Sequence, residues 1–281
     1  MRRLPASAVL TAPPGRGHLG ALGLLALLAL LSGCPELPRE RVEHLPDRPY
    51  PTCAEGEPAA DFEPGSGELR AGPVMRDDSI VERFEVAVRA CHVVFSMRQE
   101  WALGATDIEV VYDRELNPLR VWRRATAPGP MPVARRTDIR RYDLRGERVE
   151  MLDREQDGRI SRFYVGRGIP RVVLGAGRGL VTMWLRRARL AVGGRVREPV
   201  LDIRQTPERI REVTLMRLED RDDERLGRVR VYTIYGREPI YADAHDTVVG
   251  DMMGLVPARL STVPPPLPLE SDGPPDPAHT P

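Results

Sequence analysis

The sequence predicts a mainly β domain, an antiparallel twisted sheet or half-barrel with one or two short helices. Three observations predict it. Apolar and polar residues alternate through much of residues 76–260, the period of a strand with one buried and one wet face. Dipeptides that favour tight turns, Asn117-Pro118, Asp157-Gly158 and Gly193-Gly194, fall between those runs. Helical starts are scarce. The one good case is Thr206-Pro207-Glu208, with a capping hydroxyl, proline in the first turn and an acid near the positive end of the dipole.

Taken in order, residues 34–75 are rich in Pro, Glu, Gly and Ala without an apolar period and read as a flexible tether. Ser79 to Phe95 opens helix-like, but Val86, Val88, Val93, Val94 and Phe95 favour extended chain. Ile108 to Tyr112 and Leu119 to Arg123 flank Asn117-Pro118 as a hairpin, and Arg148 to Leu152 with Arg159 to Val165 flank Asp157-Gly158 as another. A third is signalled at Gly193-Gly194, between Ala188 to Val192 and Arg195 to Arg197. The helix from Thr206 is expected to run to about Val213, beyond which Thr214 to Leu218 fits a strand. Gly175 to Trp184 fits either state. Arg228 to Tyr235 is the strongest late strand, with Val229, Val231 and Thr233 inward and Arg228, Arg230 and Tyr232 outward. From Ser261 to Pro281, Pro264-Pro265-Pro266 and Pro274-Pro275 deny the backbone its donors, and this tail is expected to be disordered.

Residues 1–33 read as a processing signal. Arg2, Arg3 and Arg16 supply positive charge, and Leu19 to Leu31 is almost unbroken Leu, Ala and Gly, too short for a spanning helix and ending in small residues. The segment Leu31-Ser32-Gly33-Cys34 resembles the lipobox of bacterial lipoproteins. That resemblance implies cleavage before Cys34, diacylglycerol on its thiol, and a membrane partner through the lipid anchor. Several acyl chains at about 0.8 kcal/mol per buried methylene make such an anchor effectively permanent. Pro35 in place of aspartate after the cysteine favours the outer membrane over the inner, with the domain facing the periplasm.

Outside the cytoplasm, Cys53 and Cys91 remain as an even pair, and a disulfide is the natural inference. It would stabilise by about 3 kcal/mol or somewhat more. The alternative is two unrelated cysteines, with Cys91 buried as a small apolar residue. Adjacent Cys91-His92 matches no zinc spacing, so no metal site is expected, and no cofactor.

The chain has no lysine, so its 42 basic residues are all arginine. Its formal charge of +1 becomes −2 once the three arginines of residues 1–33, which hold no acid, are removed. A near-neutral domain of interspersed signs excludes nothing catalytic but gives no footprint for nucleic acid.

Asp243-Ala244-His245-Asp246 is the most site-like cluster, since an imidazole between carboxylates can act as ligand or base, although the same residues suit a polar turn. Gly175-Ala176-Gly177-Arg178-Gly179 resembles a phosphate loop only in its glycines. Asp153, Glu155 and Asp157, and the run Glu219 to Glu224, lack the spacing of a calcium loop. Trp101, Trp122 and Trp184 lie in or beside apolar stretches and are expected in the core. No catalytic residue is assigned.

The alternating strands, lipid anchor and tether resemble, in architecture alone, the lipoprotein-carrier half-barrels of the envelope. That resemblance implies an apolar inner face, here Val110, Tyr112, Val121 and Trp184, with Arg123 or Arg186 at a polar rim. The expectation is a non-catalytic envelope lipoprotein that binds a lipid-like ligand or an envelope partner, and the alternative is a periplasmic hydrolase with its site near His245.

Overall fold

The computed structural model describes residues 40–41, 51–72, 80–129, 137–154, 159–204, 207–237 and 239–261. The signal segment, Cys34 and the proline-rich tail beyond Ser261 lie outside the described residues. In chain order the strands are β1 (Glu40–Arg41), β2 (Gly65–Ala71), β3 (Val81–Arg89), β4 (His92–Trp101), β5 (Gly104–Tyr112), β6 (Pro118–Thr126), β7 (Thr137–Asp143), β8 (Arg148–Arg154) and β9 (Ile160–Arg167). After β10 (Val172–Leu174) comes the helix α1 (Val181–Ala188). There follow β11 (Arg195–Asp202), β12 (Arg209–Arg217), β13 (Arg221–Asp223), β14 (Gly227–Ile234), β15 (Pro239–Ala242), β16 (Val248–Asp251) and β17 (Leu255–Pro257).

The fold is mainly β, as the alternation predicts. Strands β2 to β9 form a meander, each hydrogen-bonded to the next, and β17 and β1 add to its two edges to make a ten-stranded antiparallel sheet. The second sheet has the order β10-β11-β12-β14-β15-β16, with β13 on β14. Its one parallel pair is β10 with β11, and α1 supplies the crossover that a parallel pair requires.

Burial follows the pleat. Phe84 and Val86 on β3, Phe95 and Met97 on β4, and Ile108 and Val110 on β5 point to one face and stack in register across the strands. The opposite face carries charge: Arg83 bridges Glu68 and Glu100, and Arg98 bridges Glu100 and Asp107, at 2.8–3.2 Å. Such exposed pairs contribute little to stability, roughly 0–1 kcal/mol each. They keep that face wet.

The inner face meets α1. Five consecutive residues, Val181, Thr182, Met183, Trp184 and Leu185, are buried, so the helix lies inside the molecule rather than on it. The four apolar ones join Phe95, Val121 and Tyr142 of the large sheet and Leu201, Val213 and Leu215 of the small one in a single buried cluster. The ambiguous segment from Gly175 to Trp184 thus resolves into a loop and the start of this helix.

Several sequence expectations need correction. Of the helix expected from Thr206 to Val213, Thr206 lies outside the described residues and Arg209 to Val213 belong instead to the strand β12, paired with β11 from Arg195↔Met216 to Asp202↔Arg209. Glu208 does not cap a helix, because its carboxylate binds Arg140 and Tyr142 of β7. Ala188 to Val192 is not a strand but the helix end and a loop, in which Gly193, at φ 78°, turns the chain into β11. The tether of residues 34–75 is shorter than read, since β2 lies within it and pairs with β3. Gly67, which made that stretch look like linker, is needed for packing: a Cβ there would overlap the Phe84 ring. Tyr232, expected on the wet face, is fully buried. Asp157-Gly158 lies outside the described residues, but its flanking strands pair antiparallel from Arg154↔Ile160.

The expected disulfide is present, joining Cys53 to Cys91 with their Cα atoms 5.8 Å apart. It fixes the segment before β2 to the tight β3–β4 turn, where Ala90 has φ 52°. A non-glycine residue there costs about 1–2 kcal/mol. Ala90→Gly is therefore expected to stabilise the fold by about 0.5–1 kcal/mol after glycine's larger unfolded-state entropy is subtracted. The urea midpoint reads this directly, and an unchanged or lower midpoint would count against a strained turn.

Candidate functional site

The sequence-flagged turn Asp243-Ala244-His245-Asp246 forms part of a recess of about 500 Å³. Its wall comes from four places: Asp61, Phe62 and Glu63 before β2, the end of α1, Arg217 and Arg230 of the small sheet, and the β15–β16 turn. The turn is built by Asp243, whose Oδ1 accepts from the N–H groups of His245 (2.8 Å) and Thr247 (2.9 Å). This is the local side-chain turn that the sequence allowed.

Asp246 is already engaged. Its Oδ1 accepts from the Tyr232 hydroxyl at 2.6 Å and pairs with Arg230 Nη1 at 2.8 Å. Burial and this bond push the Tyr232 phenol above its usual range, and the same carboxylate holds the Arg230 guanidinium above its own. His245 is 68% exposed, and its Nδ1 is 3.9 Å from Glu63 Oε2. That is too long for the hydrogen bond that would orient a general base.

Four guanidinium groups surround the opening. Arg186 donates to the Glu63 carbonyl (3.1 Å) and Thr247 Oγ1 (2.8 Å) and lies over Phe62 with its carbon 5.2 Å from the ring centroid. It holds the segment before β2 against the recess. Arg217 donates to the Leu190 carbonyl and to Asp220, each at 2.8 Å. Arg189 ends the helix in the left-handed conformation and is exposed, with its Nε 3.4 Å from the Arg186 carbonyl. Phe62, Leu190, Ala191 and Ala244 supply apolar wall, and no serine, threonine or cysteine is among the lining residues. Against these four arginines stand the carboxylates of Asp61, Glu63 and Asp246, so the lining carries one net positive charge beside its apolar wall.

The expected apolar lining is brought together but sits elsewhere. Val110, Tyr112, Val121 and Trp184 belong to the packed core, each at most 3% exposed, because α1 occupies the inner face that a ligand would need. Trp184 Nε1 donates to Glu198 at 2.6 Å. Arg186 does reach the recess rim, whereas Arg123 lies in register with Arg140 across β6 and β7.

That neighbourhood holds a polar cluster the sequence did not signal. Arg140 pairs with Glu208 and lies 3.4 Å from Asp153, and the Tyr142 hydroxyl donates to Glu208 at 2.9 Å. Burial opposes the charge on Arg140, but the carboxylates of Glu208 and Asp153 outweigh it and hold the guanidinium above its usual range. Burial raises Asp153.

The glycine-rich loop does cradle a carboxyl group, but one from its own chain. The backbone N–H groups of Arg178 and Gly179 donate to the Glu82 carboxylate, which is completely buried. A Cβ on Gly177 would meet Met97, and one on Gly179 the Phe84 ring, so both positions need glycine. Asp220 and Asp223 have local partners, Arg217 and the backbone of Arg225 and Leu226, as solvated turns do.

No family model and no curated protein matches this chain. A solved structure of a DUF1089 family protein from Pseudomonas aeruginosa is similar at 14% identity and a TM-score of 0.37, covering 72% of this chain and 95% of that one. A likeness at that level supports no inference about fold or function.

Proposed function

We propose that this chain is a membrane-anchored envelope lipoprotein, held by lipid on Cys34, that binds an anionic, lipid-like ligand without catalysing its conversion. The recess supports this reading: four arginines, outnumbering the carboxylates of Asp61, Glu63 and Asp246, meet an apolar wall there, Asp246 is engaged, and among the described residues no orienting partner lies within hydrogen-bond range of the His245 ring. The interior is filled by α1, which favours binding at this recess over binding between the sheets. The signal segment and lipobox favour export, with the domain in the periplasm and the anchor in the outer membrane.

Two measurements test it. Intact-mass analysis of membrane-extracted protein should show a chain beginning at Cys34 with added acyl mass, and a soluble product retaining Leu31 would refute the anchor. Native mass spectrometry against lysophosphatidic acid should show one bound lipid per chain. Arg189→Gln should weaken it about tenfold, the value of one lost charge-assisted hydrogen bond. Equal binding by a neutral lysolipid, or none by either, would reject the ligand class. Turnover of an ester probe abolished by His245→Ala would establish the hydrolase instead.

A further inference from the structure

A tryptophan stands on the wet face of the large sheet. Trp122, expected in the core, follows the fully buried Val121 on β6 and is half-buried on the opposite, charged side. The pairing register places it in a row that crosses five strands, Ser66, Glu85, Ser96, Glu109 and Trp122, each opposite the next. This row lines a hollow of about 880 Å³ on that face.

The hollow is made by two rows that differ in what they leave available. Two positions along each strand, Glu68, Arg83, Arg98, Asp107 and Arg124 form the second row, and their charges are taken up in ion pairs. The first row carries hydroxyls and carboxylates from Ser66 to Glu109 and ends on the indole. Glu85 is exposed and, among the described residues, has no ion-pair partner. Four carboxylates against three guanidinium groups give the lining one net negative charge, which disfavours a polyanion. Carboxylates accept hydrogen bonds and a serine hydroxyl donates or accepts, so the first row complements a ligand rich in O–H donors. Trp122 adds a flat apolar surface beside them.

We propose that this hollow binds a neutral, β-linked glycan laid across the strands, at a site separate from the recess. Adjacent strands are about 4.8 Å apart. That spacing is close to the advance of an extended β-linked glycan per sugar, so successive sugars meet successive members of the row. The apolar C–H face of one pyranose ring packs on the Trp122 indole. Hydroxyls of its neighbours donate to Glu109 and Glu85, and the small Ser96 between these carboxylates leaves room for a ring.

The test titrates the full mature chain, in a detergent without a sugar headgroup, with cellohexaose, the hexamer of N-acetylglucosamine and hexalysine by calorimetry. At least one of the two glycans is expected to bind, one per chain, and hexalysine is not. Trp122→Ala should weaken glycan binding about tenfold. Ser96→Tyr, which fills the floor, should abolish it. Both variants should bind lysophosphatidic acid as the unaltered chain does, which separates this site from the recess. No binding by either glycan, full affinity in either variant, or hexalysine bound in the place of a glycan would each overturn the proposal. If circular dichroism shows Trp122→Ala to be less folded, Ser96→Tyr and Trp122→Phe decide: loss of binding in the first with binding kept in the second supports the site, and any other pattern overturns it.

Discussion

Replacing Glu208 with alanine is expected to cost about 3–5 kcal/mol of folding stability, because it removes one partner of a buried ion pair and leaves the other charge in place. The Arg140 side chain is 15% exposed and that of Glu208 4%, so water cannot take over what the carboxylate provides. Asp153, at 3.4 Å, offers only partial compensation, and the Tyr142 hydroxyl loses its acceptor as well. The pair need not be a net stabiliser for this to hold, since the cost comes from stranding the guanidinium. A double variant, Arg140→Met with Glu208→Leu, should therefore recover much of the loss. Urea denaturation at neutral pH measures both. A single-variant loss below about 1 kcal/mol would show that Arg140 finds another partner or reaches solvent.

Glu82 is expected to make the fold more stable in mild acid than at neutral pH by up to about 3 kcal/mol. Complete burial raises its carboxyl from 4.5 to about 7, while the N–H groups of Gly179 and Arg178 and the charge of Arg178 pull the other way and lose. The folded state thus keeps a proton between pH 4.5 and about 7 that the unfolded chain has released. The contribution is fully present below the unfolded value and disappears as pH rises through the folded one. Other groups titrate in the same window, so the informative quantity is the difference between the wild type and Glu82→Gln. The amide keeps an acceptor for the two N–H groups but cannot ionise, and the variant should gain on the wild type steadily from pH 4.5 to 7 in urea midpoints. Parallel pH profiles would show that Glu82 is not protonated in the folded protein.

Local pattern alone determined the β class of this protein, since alternation at Val229, Val231 and Thr233 states that one face is buried whatever covers it. It also determined the hairpin at Asn117-Pro118, where Asp113 binds the Asn117 N–H and amide. The Asp243 turn was legible for the same reason, because its hydrogen bonds close within four residues. The cysteine count suggested the Cys53–Cys91 pair that the fold closes.

Tertiary structure decided the rest. From Arg209 to Arg217, an eight-residue register with β11 outweighed a good helical start, because a cap contributes only about 1 kcal/mol. The helix α1 was hidden because it spans only eight residues, too few for a 3.6-residue period to be told from a short buried strand. The partners that matter most lie far apart in sequence: Glu82 and Gly179 are separated by 97 residues, Arg140 and Glu208 by 68, and Arg186 and Thr247 by 61. Local periodicity records how much of a residue is buried, not against what. The recess and the buried Glu82 carboxyl exist only because sheet register and the inserted helix bring those distant segments together.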